Sequence, residues 1–137
     1  MPGAHAAGMP VESLKIVTKA GSQTFQVEVA KTDRQKAVGL MFRRLLPDMT
    51  GMLFPYGVPK DLTMWMRNTY IPLDMIFIRA DGTIHRVEAN TEPFSEEVVA
   101  AGAPVTAVLE IGGGEAARLG IAAGDRVIHS HFGAQTR

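Results

Sequence analysis

Hydrophobic and polar positions alternate along much of this chain, in short runs separated by Gly, Pro and Asp. Leu14-Lys15-Ile16-Val17 and Phe25-Gln26-Val27-Glu28-Val29 are two such runs, with Ala20-Gly21-Ser22-Gln23 between them. Two extended runs joined by a glycine-containing link predict a β-hairpin. Thr32-Asp33-Arg34-Gln35 then has the form of a capping box, a hydroxyl for an orphan amide and a glutamine three residues on to reach back. It predicts a short helix from about Asp33 to Met41 that buries Ala37, Val38 and Met41. Gly39 inside that helix costs about 1 kcal/mol against alanine, which implies close packing at that point. Arg43, Arg44 and Pro47 end the element, and Leu45 to Met49 form an apolar loop over the sheet.

The second half continues the strand pattern. Gly51-Met52-Leu53-Phe54 predicts a short buried strand, with Pro55 and Pro59 bracketing a turn through Gly57. Leu62, Met64 and Met66 share one face of a further strand, and Thr63, Trp65 and Arg67 the other. Asn68 to Pro72 is a crossing, because proline breaks a ladder and holds Ile71 extended. Met75 to Ile78 is apolar on both faces, the pattern of a central strand. Asp81-Gly82 marks a hairpin turn into a strand from Ile84 to Ala89. A polar connection from Glu92 to Pro104 has a helical turn at Glu96 to Val99. Val105 to Ile111 is a strand with Val105, Ala107, Leu109 and Ile111 on one face. A helix from Glu115 to Leu119 stops at Gly120, and a last strand ends near Phe132.

Many short strands with one or two short helices predict a mostly-β (α+β) fold, a compact single-domain β-barrel or sandwich. The domain spans residues 13–132, after a flexible leader at 1–12 and before a tail at 133–137. The length of 137 residues suffices for one real core. No apolar run reaches the ~20 residues of a membrane-spanning helix. The absence of cysteine excludes disulfides, thiolate metal sites and cysteine nucleophiles. Net charge is zero, so there is no bulk attraction to nucleic acid or anionic lipid. Residues 1–60 carry eight Lys/Arg against four Asp/Glu, and residues 61–137 six against ten, so the balance of +4 and −4 favours two halves folding on each other. Ala4-His5-Ala6 has the small-x-small form of a signal-peptidase site without the charged and apolar regions that precede one. The expectation is a periplasmic or exported protein whose leader is the remnant of a cleavage region, with the cytoplasm as the alternative.

Gly39-Leu40-Met41-Phe42-Arg43, Leu46-Pro47, Gly51-Met52-Leu53-Phe54, Met64-Trp65-Met66-Arg67-Asn68-Thr69, Ile71-Pro72-Leu73-Asp74-Met75 and Gly120-Ile121 through Gly124-Asp125-Arg126-Val127 together resemble one family. It is the bacterial and archaeal domain-of-unknown-function 192 family, and the likeness covers about residues 14–130. Arg67 stands where the family pattern has lysine as often. The resemblance implies a compact β-rich domain, often made with an N-terminal signal or anchor. It implies no activity. The Gly124-Asp125-Arg126-Val127 turn also looks like the glycine-aspartate turn of small cradle-loop barrels, where the aspartate ties a loop to the next strand and is structural.

Candidate chemistry centres on Asp74, which opens the run that is apolar on both faces. A buried carboxylate must be hydrogen-bonded or paired, and Arg67 and Asn68 are the expected partners. One reading is a polar binding pocket of Asp74, Arg67, Asn68 and Thr69 walled by Trp65 and Tyr70. The other is a structural latch between strands. The alternatives are an enzyme using Asp74 as acid or base, oriented by Arg67 and Asn68, and a purely structural accessory domain with no pocket; Ser95 and Ser130 lack a nucleophile-elbow context, and Glu92, Glu96, Glu97 and Glu110 are merely available carboxylates. Met64 with Met66, and His129 with His131, each share a strand face and are weak candidates for a soft metal; core packing and exposure explain them as well. Gly112-Gly113-Gly114 before a helix could meet an anion, but Glu115 opposes one. No cofactor is expected. The expected partner is a small molecule or an envelope protein, not nucleic acid.

Overall fold

A computed structural model describes residues 8–133. Ala4-His5-Ala6 lies outside the described residues, as do residues 134–137. The elements are β1 (Val11–Thr18), β2 (Gly21–Val29), α1 (Asp33–Val38), β3 (Thr50–Lys60), β4 (Thr63–Met64), β5 (Leu73–Ile78), β6 (Ile84–Thr91), β7 (Val99–Ala100), β8 (Val105–Gly112), α2 (Glu115–Leu119) and β9 (Arg126–Ile128). A 3-10 turn at Ser130–Phe132 follows. Seven strands form one sheet in the order β6-β5-β8-β3-β2-β1-β9, and β4 pairs with β7 alone. All neighbours are antiparallel except β2 and β3, which are parallel and connected through α1.

The sheet curls until its two ends meet. Thr83 and Arg126 form a bridge, and Ile84 N donates to Asp125 O at 2.8 Å and Val127 N to Gly82 O at 2.7 Å. No continuous ladder follows, because β9 is three residues long and turns away. The fold is therefore mostly β, as the alternation predicts, with a strongly curled sheet that is not closed into a barrel.

Curling gives the sheet two buried faces and the chain two cores. Phe25, Val27, Leu53, Ile76, Leu109 and Val127 fill the inside of the curl. Met52, Phe54, Met75, Phe77 and Val108 project from the outer face of β3, β8 and β5 and are covered by Leu40, Leu62, Met66 and Ala101. This second layer explains why all six residues of β5 are buried. Burying both faces of a strand requires an apolar run without alternation.

Several local expectations are corrected. The capping box is present, with Gln35 N donating to Thr32 Oγ1 at 3.0 Å and Thr32 N to Gln35 Oε1 at 3.1 Å. The helix nevertheless stops at Val38, because Gly39 adopts φ 49°, ψ −130° and ends it. A Cβ there would lie 3.2 Å from the Phe54 ring, so the close packing expected at Gly39 is real. Ala37 and Val38 stay exposed, and Leu40 rather than Met41 is the buried residue. β3 runs through Pro55 and Pro59 with a register shift between Pro55 and Lys60 instead of turning. The expected strand over residues 62–67 is only two residues of ladder. Its side-chain alternation holds all the same: Leu62 and Met66 are buried and Thr63, Trp65 and Arg67 exposed. No helical turn forms at 96–99, where β7 pairs with β4 instead. At the N-terminal side Met9 is already buried and β1 begins at Val11, so ordered structure starts inside the expected leader.

Candidate functional site

Asp74 is fully buried, and its carboxylate is completely occupied by backbone amides. Oδ1 accepts from Asn90 N at 2.7 Å and Gly114 N at 3.1 Å, and Oδ2 accepts from Ala116 N at 2.8 Å. One side chain thus ties the start of β5 to the end of β6 and to the first turn of α2. The glycine run before α2 serves this contact. Gly114 sits at φ 93°, and a Cβ on Gly113 would come within 2.6 Å of Asn90 Oδ1. The anion met by that helix start is the chain's own aspartate. With three amides on it and no solvent exposure, the carboxylate has no open side toward a ligand. The latch reading describes this geometry.

Arg67 and Asn68 are not its partners. Arg67 stacks 5.2 Å from the Trp65 ring centroid and approaches exposed Glu96 at 3.9 Å. Asn68 is exposed at φ 54°, in the turn that closes with Thr69 N donating to Met66 O. Tyr70 belongs to a third place, an aromatic group with Phe42 (centroids 6.4 Å apart) and Phe94 (5.4 Å), and with Arg44 over its ring. The alternation explains the separation: Asp74 shares the parity of Ile76 and Ile78, which face the inside of the curl, while Trp65 and Arg67 lie in the layer outside it.

Trp65, Arg67 and Thr69 do come together, around a cavity of about 280 Å³ between α1, β3 and the 63–69 segment. Met64, Leu40, Met41, Phe54, Tyr56 and Lys36 also line it. At its base is Glu110, which pairs across the sheet with Met52 on β3 and Met75 on β5. Glu110 is 4% exposed and has no hydrogen bond to the side chains or amides of the described residues, while its oxygens keep contact with the cavity; the fully buried polar atom without a partner is Glu115 Oε1. Burial among methionine and phenylalanine side chains pushes its carboxyl from 4.5 up to about 8. The group is therefore mainly neutral at pH 7. Gly51 permits the close strand approach here, since a Cβ would lie 2.4 Å from Glu110 O.

The cavity mouth is basic and aromatic. Lys36 Nζ stands 3.9 Å over the Tyr56 ring and Lys60 Nζ 5.8 Å from it. Burial lowers the Lys36 ammonium, against the opposing pull of Asp33, with Lys60 lowering it further. Burial raises the Tyr56 hydroxyl, and the charges of Glu110 and Asp33 add to that. The sequence offers Glu110 as one available carboxylate among four, yet it carries a sharper signal. It is the only charged residue in Val105-Thr106-Ala107-Val108-Leu109-Glu110-Ile111, a run otherwise suited to burial on both faces. Lys36 and Tyr56 carried no such signal.

The methionines and histidines are not gathered at one site. Met64 lines the cavity, while Met66 Sδ accepts from Thr91 Oγ1 at 3.1 Å. β9 ends before His129, which caps the 3-10 turn that contains His131, so the two histidines do not share a strand face. His129 Nε2 lies 2.7 Å from Glu12 Oε1, and His131 Nε2 3.0 Å from Thr106 O. Among the described residues no three His, Asp or Glu side chains are grouped as metal ligands would be. Asp125 accepts from Ala122 N at 2.8 Å and ties its own turn.

The model of the domain-of-unknown-function 192 family, described as uncharacterized ACR, matches residues 15–129, and the chain belongs to that family. A solved structure from Novosphingobium aromaticivorans DSM 12444, described as a protein of unknown function, is 42% identical with a TM-score of 0.88; the match covers 94% of this chain and 93% of that one. A Sinorhizobium meliloti 1021 protein, provisionally described as a transcription regulator, is 38% identical with a TM-score of 0.88 over 93% of this chain and 99% of that one. No curated protein matches.

Proposed function

We propose that this family member is a small-molecule binding domain whose ligand enters the cavity between α1, β3 and Trp65. The observation that carries the reading is Glu110. A carboxyl buried in an apolar face without a partner costs stability, and replacing it by an apolar side chain would remove that cost. A cavity opening directly onto it supplies a reason for its presence, because a ligand would complete its hydrogen bonding. Trp65, Arg67 and Thr69 then act at the cavity wall, and Asp74 acts at a distance by holding α2 and β6 in place.

The zero net charge and the shortness of α1 and α2, six and five residues, favour a small ligand over a nucleic-acid groove. An exported setting belongs to the same proposal and rests on Ala4-His5-Ala6 and the family resemblance. It is tested by the mass of the native protein in cell fractions: a periplasmic form cleaved near Ala6 supports it, and an intact cytoplasmic form overturns it.

The test of binding uses the chain's single tryptophan as reporter. Fragment-sized compounds are titrated against the whole chain, following Trp65 fluorescence and backbone amide shifts. The expected result is a set of compounds that move Trp65, Tyr56 and Glu110 together and compete with one another. If compounds bind only elsewhere, or none binds, the reading fails.

A further inference from the structure

We infer that the cavity takes a small organic anion, a monocarboxylate with an apolar body, its charge meeting Lys36 and Arg67 and its body resting on Phe54, Met64 and Trp65 above Glu110. The inference rests on the cavity reading above and goes on to name the ligand's chemistry. Three observations carry it. The first is charge: Lys36 and Arg67 line the cavity, where Asp33 is the only acidic side chain besides Glu110. The second is the wall, where Leu40, Met41, Phe54 and Met64 offer apolar and polarizable surface and almost no hydrogen bonding. The third is Glu110 itself, 4% exposed and unpartnered in the cavity base. In its neutral form a carboxyl carries one donor proton, which suits an acceptor oxygen. A volume of about 280 Å³ is at the small end for organic ligands and fits a single ring with one substituent.

A cationic ligand fits less well. It would approach Glu110 past Lys36 and Arg67, and it would require Glu110 to ionise inside an apolar wall. The charged and titratable groups around Glu110 are Asp33 and Lys36 from α1, Tyr56 from β3 and Arg67 from the segment after β4; β5 contributes the neutral Met75. Raising the pH through about 8 ionises Glu110, which removes its donor and places a negative charge beside the ligand's own.

Benzoate, benzylamine and benzyl alcohol, one ring with three head groups, test this on the whole chain. Binding is read by Trp65 fluorescence and by amide shifts around Glu110. Benzoate is expected to bind more tightly than the other two, and above pH 8 its affinity should fall by up to about tenfold per pH unit. Glu110→Gln keeps a donor and should bind benzoate without that pH dependence. Lys36→Gln and Arg67→Gln, made separately so that a folding defect in one leaves the other informative, should each weaken benzoate by about tenfold and spare benzyl alcohol. Benzylamine binding in preference to benzoate would overturn the anion assignment and leave the cavity reading standing. Benzoate binding that ignores both cation substitutions would also overturn it. If none of the three probes moves the cavity residues, both readings fall.

Discussion

Replacing Glu110 by glutamine should make the protein more stable at alkaline pH, with a size that follows from the geometry. The carboxyl titrates near 4.5 when exposed in the unfolded chain and near 8 in the fold. Below 4.5 both states hold the proton, and the buried group makes no pH-dependent contribution. Between the two values the folded state keeps a proton that the unfolded state has released, so stability falls as pH rises, and above 8 the loss is complete. Each pH unit of difference corresponds to about 1.4 kcal/mol, so the full loss is on the order of 5 kcal/mol. Glutamine has no proton to lose and occupies nearly the same volume. The variant and the wild type should therefore melt alike near pH 4, with the variant gaining steadily above that. For a chain of this length the gap at pH 9 is on the order of 10–20 °C in Tm. Calorimetric melts from pH 4 to 9 at constant ionic strength measure it, and the difference between the two proteins removes every other titrating group. Parallel Tm curves across that range would falsify the argument, because they would mean that Glu110 reaches water or a partner and titrates normally.

Three further predictions test the framework around the cavity. Gly51→Ala should cost about 2–3 kcal/mol in urea unfolding, because its Cβ would lie 2.4 Å from Glu110 O and β3 would have to separate from β8. Arg43→Met should cost about 2 kcal/mol, since Arg43 forms a two-armed pair with Glu28 at 2.7 and 2.9 Å and leaves that half-buried carboxylate unpaired. Asp74→Asn should lower Tm by an amount equivalent to about 2–4 kcal/mol, because an amide in place of one carboxylate oxygen meets a backbone donor. Binding in the cavity should survive that last change in the folded fraction.

What could be read from the sequence was what local chemistry decides. The α1 capping box, the Asp81-Gly82 turn with Thr83 N on Asp81 Oδ1, α2 with its Gly120 stop, and the shared face of Ala107, Leu109 and Ile111 all depend on residues a few positions apart, whereas Val105, expected on that face, packs in the other core. What could not be read depends on distant partners. Whether residues 62–67 form a full strand depends on finding an edge to pair with, and among the described residues Val99 and Ala100 offer it. Two cores on one curled sheet require knowing that β3 lies between β2 and β8. The candidate site was legible in the same uneven way. Trp65, Arg67 and Thr69 stood out by composition and do share a cavity, but Lys36 and Tyr56 reach it from elements that carry no mark of a site. Asp74 drew attention because it interrupts an apolar motif, and its amide partners lie 16 to 42 positions away.

Asp74 and Glu110, two of the three buried carboxylates among the described residues, separate architecture from chemistry; the third, Glu115, accepts from Met49 N and Arg118 on Oε2 and has no partner on Oε1. Asp74 pairs with Ile111 and Glu110 with Met75, adjacent rungs of the β5–β8 ladder, so the two side chains point to opposite faces of the sheet. Asp74 meets three amide donors and Glu110 none. A charge held by three backbone donors contributes to the fold and needs no ligand to account for it. A carboxyl with no protein donor, beside an open cavity, takes its hydrogen bonds from whatever fills that cavity, water or a ligand. The same chemical change at the two rungs should therefore act with opposite sign: Asp74→Asn destabilises at pH 9 and Glu110→Gln stabilises. Melts of the two variants at that pH decide the point, since shifts in the same direction would show that backbone donors are not what sets the two residues apart.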